Sequence, residues 1–349
     1  MVMQLSRLVD ALPGGRRVHF RDAVIHGLSD DSRKTNRGDL FVAVRGTASD
    51  GHRFVADALG RGAEAVVVEQ DGCLPEGVPG LVVEDSRLAI ARLSHAFYDF
   101  PGNELLSVGV TGTNGKTTTT FLVREILRAA GMKPSLIGTV GYSFGGDVYP
   151  THQTTPGPLD LARLMNLFVT AGCRSMAMEV SSHALDQGRV AGIDYAGAIF
   201  TNLTRDHLDY HKDFETYLAA KAKLFEGLSE KAVAVLNHDA PQSKRLAALT
   251  RARVLRFGFM PGADVLGRVE SMTLDGTVFT LQLGGGKYRV SAPLVGRYNV
   301  SNMMAAATLA YGVGVDAGTV VRGLEGMRGV PGRLEKVEAK RLAAELPPH

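Results

Sequence analysis

Short apolar runs alternate with amphipathic segments in the first hundred residues. The runs "GDLFVAVRG" (38–46) and "EAVVVE" predict buried strands, while "HRFVADALGRGA" has helical spacing. The segment "GLVVEDSRLAIARLSHAFYDF" predicts a strand and then a helix, which Asp85 or Ser86 caps. "DFPGNE" (99–104), with adjacent Pro and Gly, is typical of a linker. The pattern indicates a small α/β unit that ends near residue 102.

The same alternation continues with longer helices from residue 105 onwards. The predicted strands are "LLSVGV", "SLIGTV", "SMAMEV", "AGAIFT", "AVAVL" and "RVLRFG", and the predicted helices are "KTTTTFLVREILRAAG", "PLDLARLMNLFVTAG", "DFETYLAAKAKLFEGL" and "NVSNMMAAATLAYGVG". Such alternation predicts an α/β fold with a mostly parallel sheet and helices on both faces. Residues 264–294 instead predict antiparallel hairpins, with Asp275 and Gly276 at one turn.

Composition narrows the class of protein. The 349 residues are 45% hydrophobic and 21% charged, with a net charge of +3, and Lys and Arg are scattered. We therefore expect a soluble protein that binds no nucleic acid. Cys73 and Cys173 match no metal-binding spacing. Without a secretion signal or an apolar run of about eighteen residues, we expect a cytoplasmic protein with no membrane partner.

A glycine-rich segment, "SVGVTGTNGKTTTTFLV" (107–123), lies between a predicted strand and a predicted helix. The usual phosphate-loop pattern has Gly where this chain has Val110, yet the strand–loop–helix context suits phosphate binding. The backbone amides from Thr113 to Thr117 are expected to point at an anion. Lys116 would contact the β- and γ-phosphates, and the Thr117 hydroxyl would ligate Mg²⁺. The predicted ATP-binding residues here are Gly112, Thr113, Asn114, Gly115, Lys116, Thr117 and Thr118.

Four further motifs stand in a fixed order around this loop. They are "DSRKTNRGDLFVAVRGTASDGHRFV" (31–55), "TTPGPLDL" (154–161), "MEVSSHALDQGRV" (178–190) and "FTNLTRDHLDYHKDFETYLAAKAKLF" (200–225). With the loop, they resemble the Mur ligase family, and most of all its MurE branch, over roughly residues 25–337. The resemblance implies an ATP-dependent amide ligase that adds the third amino acid to UDP-MurNAc-L-Ala-D-Glu through an acyl phosphate. The added amino acid is expected to be meso-diaminopimelate, the commoner one in the family, with L-lysine as the alternative.

The resemblance and the predicted elements together assign the metal-binding residues. Glu179 ends a predicted parallel strand beside the loop, where the sites of such sheets lie, and is the best carboxylate ligand for a metal. The resemblance implies two Mg²⁺ ions, His207 as a ligand of the second, and a CO₂-derived carbamate on Lys221 that helps to hold it. Lys223 is expected to face elsewhere on the helix, and His211 to be polar surface. The predicted catalytic residues are Lys116, Glu179, His207 and Lys221, with Asp206 and Asp209 as partners that orient His207.

The resemblance also implies the substrate contacts. Arg189 is expected to pair with a carboxylate at two points. Asn299 would lie near the ATP base, and Arg333 would reach phosphate from a hinge. The UDP end would be held by Ser32, Thr47, Ala48 and Ser49, and the muramoyl dipeptide by Gln153, Thr154, Thr155, Ser181, Gln187 and Arg189.

Domain organisation follows from the same motifs. We expect a UDP-precursor-binding domain over 1–102, an ATP-binding ligase domain over 103–332, and over 333–349 the start of a linker. The family pattern stops near Glu338, without the "DNPR"-like motif of a third domain. The chain is expected to be a monomer that binds only small molecules.

Three alternatives to a MurE-type ligase stay open. The first is a non-catalytic module that binds the precursor and ATP, which the absence of the third-domain motif favours. The second is a MurF or folate-type ligase, against which "EVSSHAL" and "TRDHLDYH" argue. The third is a signalling GTPase, for which no "NKxD" pattern is found.

Overall fold

In the computed structural model, the described part of the chain comprises residues 2–46, 49–151, 153–204 and 210–332. Within it, the chain forms one five-stranded sheet, one eleven-stranded sheet and a two-stranded ribbon. Four residues assigned above, Thr47, Ala48, His207 and Arg333, lie outside the described residues, as do Asp206 and Asp209.

The five-stranded sheet belongs to the first hundred residues. The elements here are β1 (Met3–Gln4), α1 (Leu5–Val9), β2 (Arg16–Val18), β3 (Val24–Ile25), β4 (Gly27–Ser29), β5 (Asp39–Val42), α2 (Val55–Gly60), β6 (Ala65–Val68), β7 (Gly80–Val82) and α3 (Ser86–Phe97). The strand order is β2-β7-β6-β5-β4, and only β2 runs antiparallel to its neighbour. The predicted 38–46 strand is shorter, because regular pairing ends at Val42. The N-cap of α3 is Asp85, whose carboxylate accepts hydrogen bonds from the amides of Arg87 and Leu88. Of the two predicted caps, Asp85 and Ser86, the structure therefore has the first.

The eleven-stranded sheet is built from the part of the chain that follows the first hundred residues. Its elements and their helices are β8 (Leu106–Thr111), α4 (Lys116–Ala129), β9 (Pro134–Gly138), β10 (Gly141–Phe144), β11 (Asp147–Tyr149), α5 (Pro158–Thr170), β12 (Ser175–Glu179), α6 (Ser182–Asp186), β13 (Tyr195–Phe200), α7 (Phe214–Glu226), β14 (Val233–Asn237), α8 (Ser243–Leu249), β15 (Arg253–Gly258), β16 (Val265–Thr273), β17 (Gly276–Leu283), β18 (Gly286–Ala292), α9 (Arg297–Gly312) and α10 (Ala317–Glu325). The order is β11-β10-β9-β12-β8-β13-β14-β15-β16-β17-β18.

Seven adjacent strands in the middle of this sheet, β9-β12-β8-β13-β14-β15-β16, are parallel. The edge strands β10 and β11 at one end, and β17 and β18 at the other, pair antiparallel. Apolar side chains of α4, α9 and α10 cover one face, and those of α5, α7 and α8 cover the other. The predicted mostly parallel sheet with helices on both faces is therefore confirmed. Because β8, β12 and β13 are neighbours, the loops at their carboxyl ends meet at one edge of the sheet.

Several short elements differ from the sequence prediction. The β10–β11 hairpin and helices α6, α8 and α10 were not predicted. The hairpin, α6 and α8 are brief, whereas α10 buries Val320 and Leu324 one helical turn apart, a spacing that sequence reasoning overlooked. The β16–β17 turn is formed by Leu274 and Asp275, one residue earlier than predicted, since Gly276 already pairs with Thr273.

Helix α3 packs on the five-stranded sheet and also contacts residues of the part of the chain that forms the eleven-stranded sheet. Leu159 of α5 contacts the apolar core under the small sheet. A side chain at Gly188 or Gly192 would meet Leu88 or His95 of α3, so these loop glycines lie close to the helix. Among the described helices, none is long and apolar enough to cross a lipid bilayer.

Candidate active site

The glycine-rich loop connects β8 to α4 and is held against the loop after β13. Gly112 has φ +148°, and a Cβ atom there would overlap the hydroxyl of Thr201. A Cβ atom at Gly115 would overlap the side-chain oxygen of Asn302 in α9. The loop glycines are therefore required by close approach as well as by backbone conformation.

Two of the backbone amides that were predicted to bind an anion already donate hydrogen bonds within the protein. The amide of Thr113 donates to the carbonyl of Asn202 at 2.9 Å, and that of Asn114 donates to Asn202 Oδ1 at 3.0 Å. The prediction that all amides from Thr113 to Thr117 face an anion is therefore wrong for the first two. The remaining amides belong to Gly115, the N-cap of α4, and to Lys116 and Thr117 in its first turn, where helix geometry provides no acceptor within the helix.

Two lysines meet at one carbonyl oxygen of the loop. Lys116 Nζ donates to the carbonyls of Gly112 (2.9 Å) and Thr113 (2.8 Å), and Lys221 Nζ donates to Gly112 O at 3.2 Å. Lys221 is 1% exposed, between Ala220 and Ala222, with its ammonium 4.3 Å from the ring centroid of Tyr217. By contrast Lys223 is exposed and pairs with Asp186, so it faces elsewhere on the helix, as predicted.

Glu179 ends β12, as predicted, and its carboxylate is almost fully buried. It accepts hydrogen bonds from the amide (2.8 Å) and hydroxyl (3.2 Å) of Thr139. A Cβ atom at Gly138 would overlap Glu179 Oε1, so this glycine leaves room for the carboxylate. A buried carboxylate beside a cavity, with neutral hydrogen-bond donors, suits a hard cation.

These groups open onto one cavity of about 1050 Å³. Its lining includes thirteen of the predicted residues: Thr113, Asn114, Gly115, Lys116, Thr117, Thr118, Gln153, Thr154, Glu179, Ser181, Arg189, Lys221 and Asn299. Three further predicted residues are outside the lining but accept hydrogen bonds from it: Gly112 from Lys116, and Thr155 and Gln187 from Arg189. Ser32, which is buried, and Ser49, which is exposed, belong to the first hundred residues and are not in the described lining.

Arg189 makes a two-point contact, although with a neutral oxygen. Its Nε and one terminal nitrogen donate to Gln187 Oε1 at 3.0 and 2.7 Å. The other terminal nitrogen donates to Gln153 Oε1 and to the carbonyl of Thr155, both at 3.0 Å. Burial lowers the pKa of the Arg189 guanidinium from its ordinary value, yet that value is so high that the charge remains.

The expectation that His211 is polar surface is wrong. His211 is 5% exposed, and its Nε2 lies 2.9 Å from the hydroxyl of Ser182. Its ring packs against Tyr210 and Tyr217. Its hydrogen-bond partner Ser182 lies 29 residues earlier in the chain, so the sequence around His211 gives no signal of that contact.

Other cavity residues were also missed by sequence reasoning. They include Thr139, Ser182, His183, Asn202, Tyr217, Leu294, Tyr298 and Asn302. For Tyr217 a signal existed, because it stands one helical turn before Lys221 and therefore on the same face. Thr139 and Asn202 follow strands and could have been found from the edge at which the strands end.

The described donors suit Mg²⁺ better than a softer metal. Thr117 supplies a hydroxyl and Glu179 a carboxylate, and both line the cavity. Within the described residues, no cluster of three or more His, Cys, Asp or Glu side chains is formed. Oxygen ligands with open positions are what Mg²⁺ uses when it also binds substrate phosphates.

Comparison with known families decides between the possible nucleotide-binding proteins. A family model described as "Mur ligase middle domain" matches residues 110–310, more than half of the chain. The chain belongs to the Mur ligase family. A second model, "Mur ligase family, catalytic domain", matches residues 24–98. The predicted resemblance to Mur ligases is thereby confirmed, and a signalling GTPase is excluded.

Individual members of the Mur ligase family are similar over nearly the whole chain. UDP-N-acetylmuramoyl-L-alanyl-D-glutamate--2,6-diaminopimelate ligases of Geobacter metallireducens and Geobacillus kaustophilus are 42% and 43% identical over 96% of it. The chain spans 66% and 70% of their lengths, or about two thirds. A solved structure of a ligase with the same name is 30% identical with a TM-score of 0.78, covering 88% of this chain and 64% of that one.

Proposed function

We propose that this chain carries the precursor- and ATP-binding parts of a MurE-type ligase. The reaction would join UDP-MurNAc-L-Ala-D-Glu to a third amino acid, with meso-diaminopimelate favoured over L-lysine. The main support is a single cavity that contains Lys116, Glu179 and Lys221 together with Thr154 and Arg189. Relatives named as diaminopimelate ligases support the choice of amino acid.

The proposed reaction gives separate roles to the residues near the glycine-rich loop and to those near Arg189. The precursor carboxylate would attack the γ-phosphorus of ATP, so that ADP leaves and an acyl phosphate forms. The amine of the third amino acid would then form the amide bond as inorganic phosphate departs and the nitrogen loses a proton. Lys116 and the first turn of α4 would neutralise the charge on the phosphoryl oxygens. Arg189, Ser181 and Thr154 would hold the precursor so that its carboxylate meets the phosphate.

When bound, Mg²⁺ would supply positive charge that offsets the negative charge of the phosphoryl group. We propose Thr117 and Glu179 as ligands of one ion, and His207 with a carbamate on Lys221 as ligands of the second. Lys116 and Lys221 already share the Gly112 carbonyl oxygen. A carbamate would replace one of two neighbouring positive charges by a negative one, which Lys116 would then face.

The outer contacts extend this proposal. Ser32, Thr47, Ala48 and Ser49 would hold the UDP end of the precursor, Asn299 would lie near the ATP base, and Arg333 would reach phosphate. The units would divide at residues 102 and 332, and the chain would act as a monomer.

ADP release by the purified chain tests the proposed reaction. The assay contains Mg·ATP and UDP-MurNAc-L-Ala-D-Glu, with either meso-diaminopimelate or L-lysine. We expect release that depends on meso-diaminopimelate and is lost in Lys116→Ala. Release only with L-lysine would overturn the amino-acid assignment. If precursor binds by calorimetry but no ADP is released, the chain binds the substrates without ligating them.

The carbamate has a readout that is independent of turnover. Protein incubated with ¹³C-bicarbonate should show a carbamate carbonyl signal by NMR. That signal should disappear in Lys221→Arg and persist in Lys223→Arg, the exposed lysine of the same helix. A signal that survives Lys221→Arg would contradict the assignment.

A further inference from the structure

The orientation of Arg189 depends on which end of the Gln187 amide it meets. Both bonds of its two-point contact end on Gln187 Oε1, at 3.0 and 2.7 Å. The –NH₂ end of that amide would oppose donor to donor and repel the guanidinium. Gln153, its other side-chain partner, is exposed, so an incoming carboxylate displaces it more readily than it displaces Gln187.

A second set of contacts fixes the Gln187 amide. Its Nε2 donates to the hydroxyl of Tyr210 at 3.3 Å, and that hydroxyl donates to Asp186 Oδ2 at 3.1 Å. Asp186 also receives the ammonium of Lys223 on α7 at 3.0 Å. The ring of Tyr210 is packed against His183, with 4.0 Å between the ring centroids.

The direction of each bond in this chain follows from its charged end. Asp186, paired with Lys223, is a carboxylate and can only accept, so Tyr210 gives its single proton to Asp186. The Tyr210 hydroxyl then has only lone pairs left for Gln187. The Gln187 –NH₂ group must therefore face Tyr210, and its oxygen must face Arg189.

We infer that Tyr210 is a positioning residue that, through Gln187, fixes the Arg189 guanidinium for the carboxylate of the precursor. This inference rests on the proposed function. It links the precursor site to Asp186 on α6 and to α7, the helix that carries Lys221. Tyr210 acts through its hydroxyl rather than through contact with the precursor.

Calorimetric titration with UDP-MurNAc-L-Ala-D-Glu tests this role in wild type, Tyr210→Phe, Arg189→Ala and the double variant. Tyr210→Phe keeps the ring and removes the hydroxyl, and we expect the Kd for the precursor to rise about 5- to 10-fold. The double variant should bind as weakly as Arg189→Ala alone, because Tyr210 acts through Arg189. The Kd for Mg·ATP should change less than about twofold, which a general loss of structure would not allow.

Tyr288→Phe in β18, outside the cavity, is the matched control and should leave both Kd values unchanged. Asp186→Asn is the second variant, because an asparagine amide can reverse the direction of the Tyr210 bond, and it should also weaken precursor binding. Wild-type affinity in Tyr210→Phe, or additive effects of Tyr210→Phe and Arg189→Ala, would overturn the inference alone. If the wild type binds no precursor, the proposed function and the inference both fail.

Discussion

At the scale of single residues, glycines leave the space that neighbouring polar side chains occupy. Gly138 leaves room for the carboxylate of Glu179, and Gly112 leaves room for Thr201. Thr139 then supplies both hydrogen bonds that the Glu179 carboxylate receives from the end of β9. The position of the predicted metal ligand is thus set by its neighbours as much as by its own strand.

Gly138→Ala should impair the site without unfolding the protein. The new Cβ overlaps Glu179 Oε1, so the carboxylate must rotate away from Thr139. We expect ADP release to fall at least tenfold, or about 1.4 kcal/mol in the activation barrier. The assay is steady-state ADP release over a Mg²⁺ titration. The control is Gly60→Ala in α2, where nothing lies near the added Cβ. Equal activity of the two variants would show that the Glu179 position is not critical.

At the scale of elements, α3 shows how local and tertiary effects combine. Its start is fixed locally by Asp85, and its buried face packs on the small sheet and against the central unit. His95 lies on that face and is 2% exposed. The two effects are separable by experiment.

Asp85→Ala should destabilise the protein by about 1 kcal/mol, the usual value of an N-cap. Two amide bonds to the carboxylate are lost, from Arg87 and Leu88. Urea unfolding followed by circular dichroism measures the change. Glu84→Ala, the exposed acid before it, should have little effect. A loss of the same size in both variants would point to net charge rather than capping.

His95 should make the protein acid-sensitive. Burial lowers its pKa to about 4, from 6.5 in the unfolded chain. The unfolded state therefore takes up a proton first, and stability is full above about pH 6.5 and is lost as the pH falls towards 4. The shift corresponds to about 3 kcal/mol. His95→Leu should show a smaller drop in Tm between pH 7.5 and pH 5 than the wild type. His19→Asn, at an exposed histidine, should behave like the wild type, and an unchanged drop in His95→Leu would disprove this origin.

At the scale of the whole molecule, the cavity is lined from several distant parts of the chain. Lys116 and Thr117 come from α4, Lys221 from α7 and Asn299 from α9. A ligand that contacts all three helices binds the folded chain and not the unfolded one. Nucleotide binding should therefore stabilise the central sheet as a unit.

Mg·ATP should raise the Tm of the chain. At a hundred times its Kd, a ligand adds about 2.7 kcal/mol to the free energy of unfolding. Lys116→Ala should reduce the shift, since it removes the side chain expected on the phosphates. Differential scanning fluorimetry with and without Mg·ATP measures it, and Lys287→Ala on β18 is a control. A shift that is equal in both variants would place the nucleotide elsewhere.

The sequence by itself determined most strands and helices of the eleven-stranded sheet, the glycine-rich loop, a start of α3 at Asp85 or Ser86, and the different directions of Lys221 and Lys223 on one helix. These depend on spacing of a few residues, which a chain shows directly. Only the tertiary structure decided which amides of the loop are engaged, what holds Glu179, and that His211 is buried. Asn202 reaches Asn114 across 88 residues, and Glu179 reaches Thr139 across 40. Such partners meet because β8, β9, β12 and β13 end at one edge of the sheet, a fact of strand order that no local pattern contains.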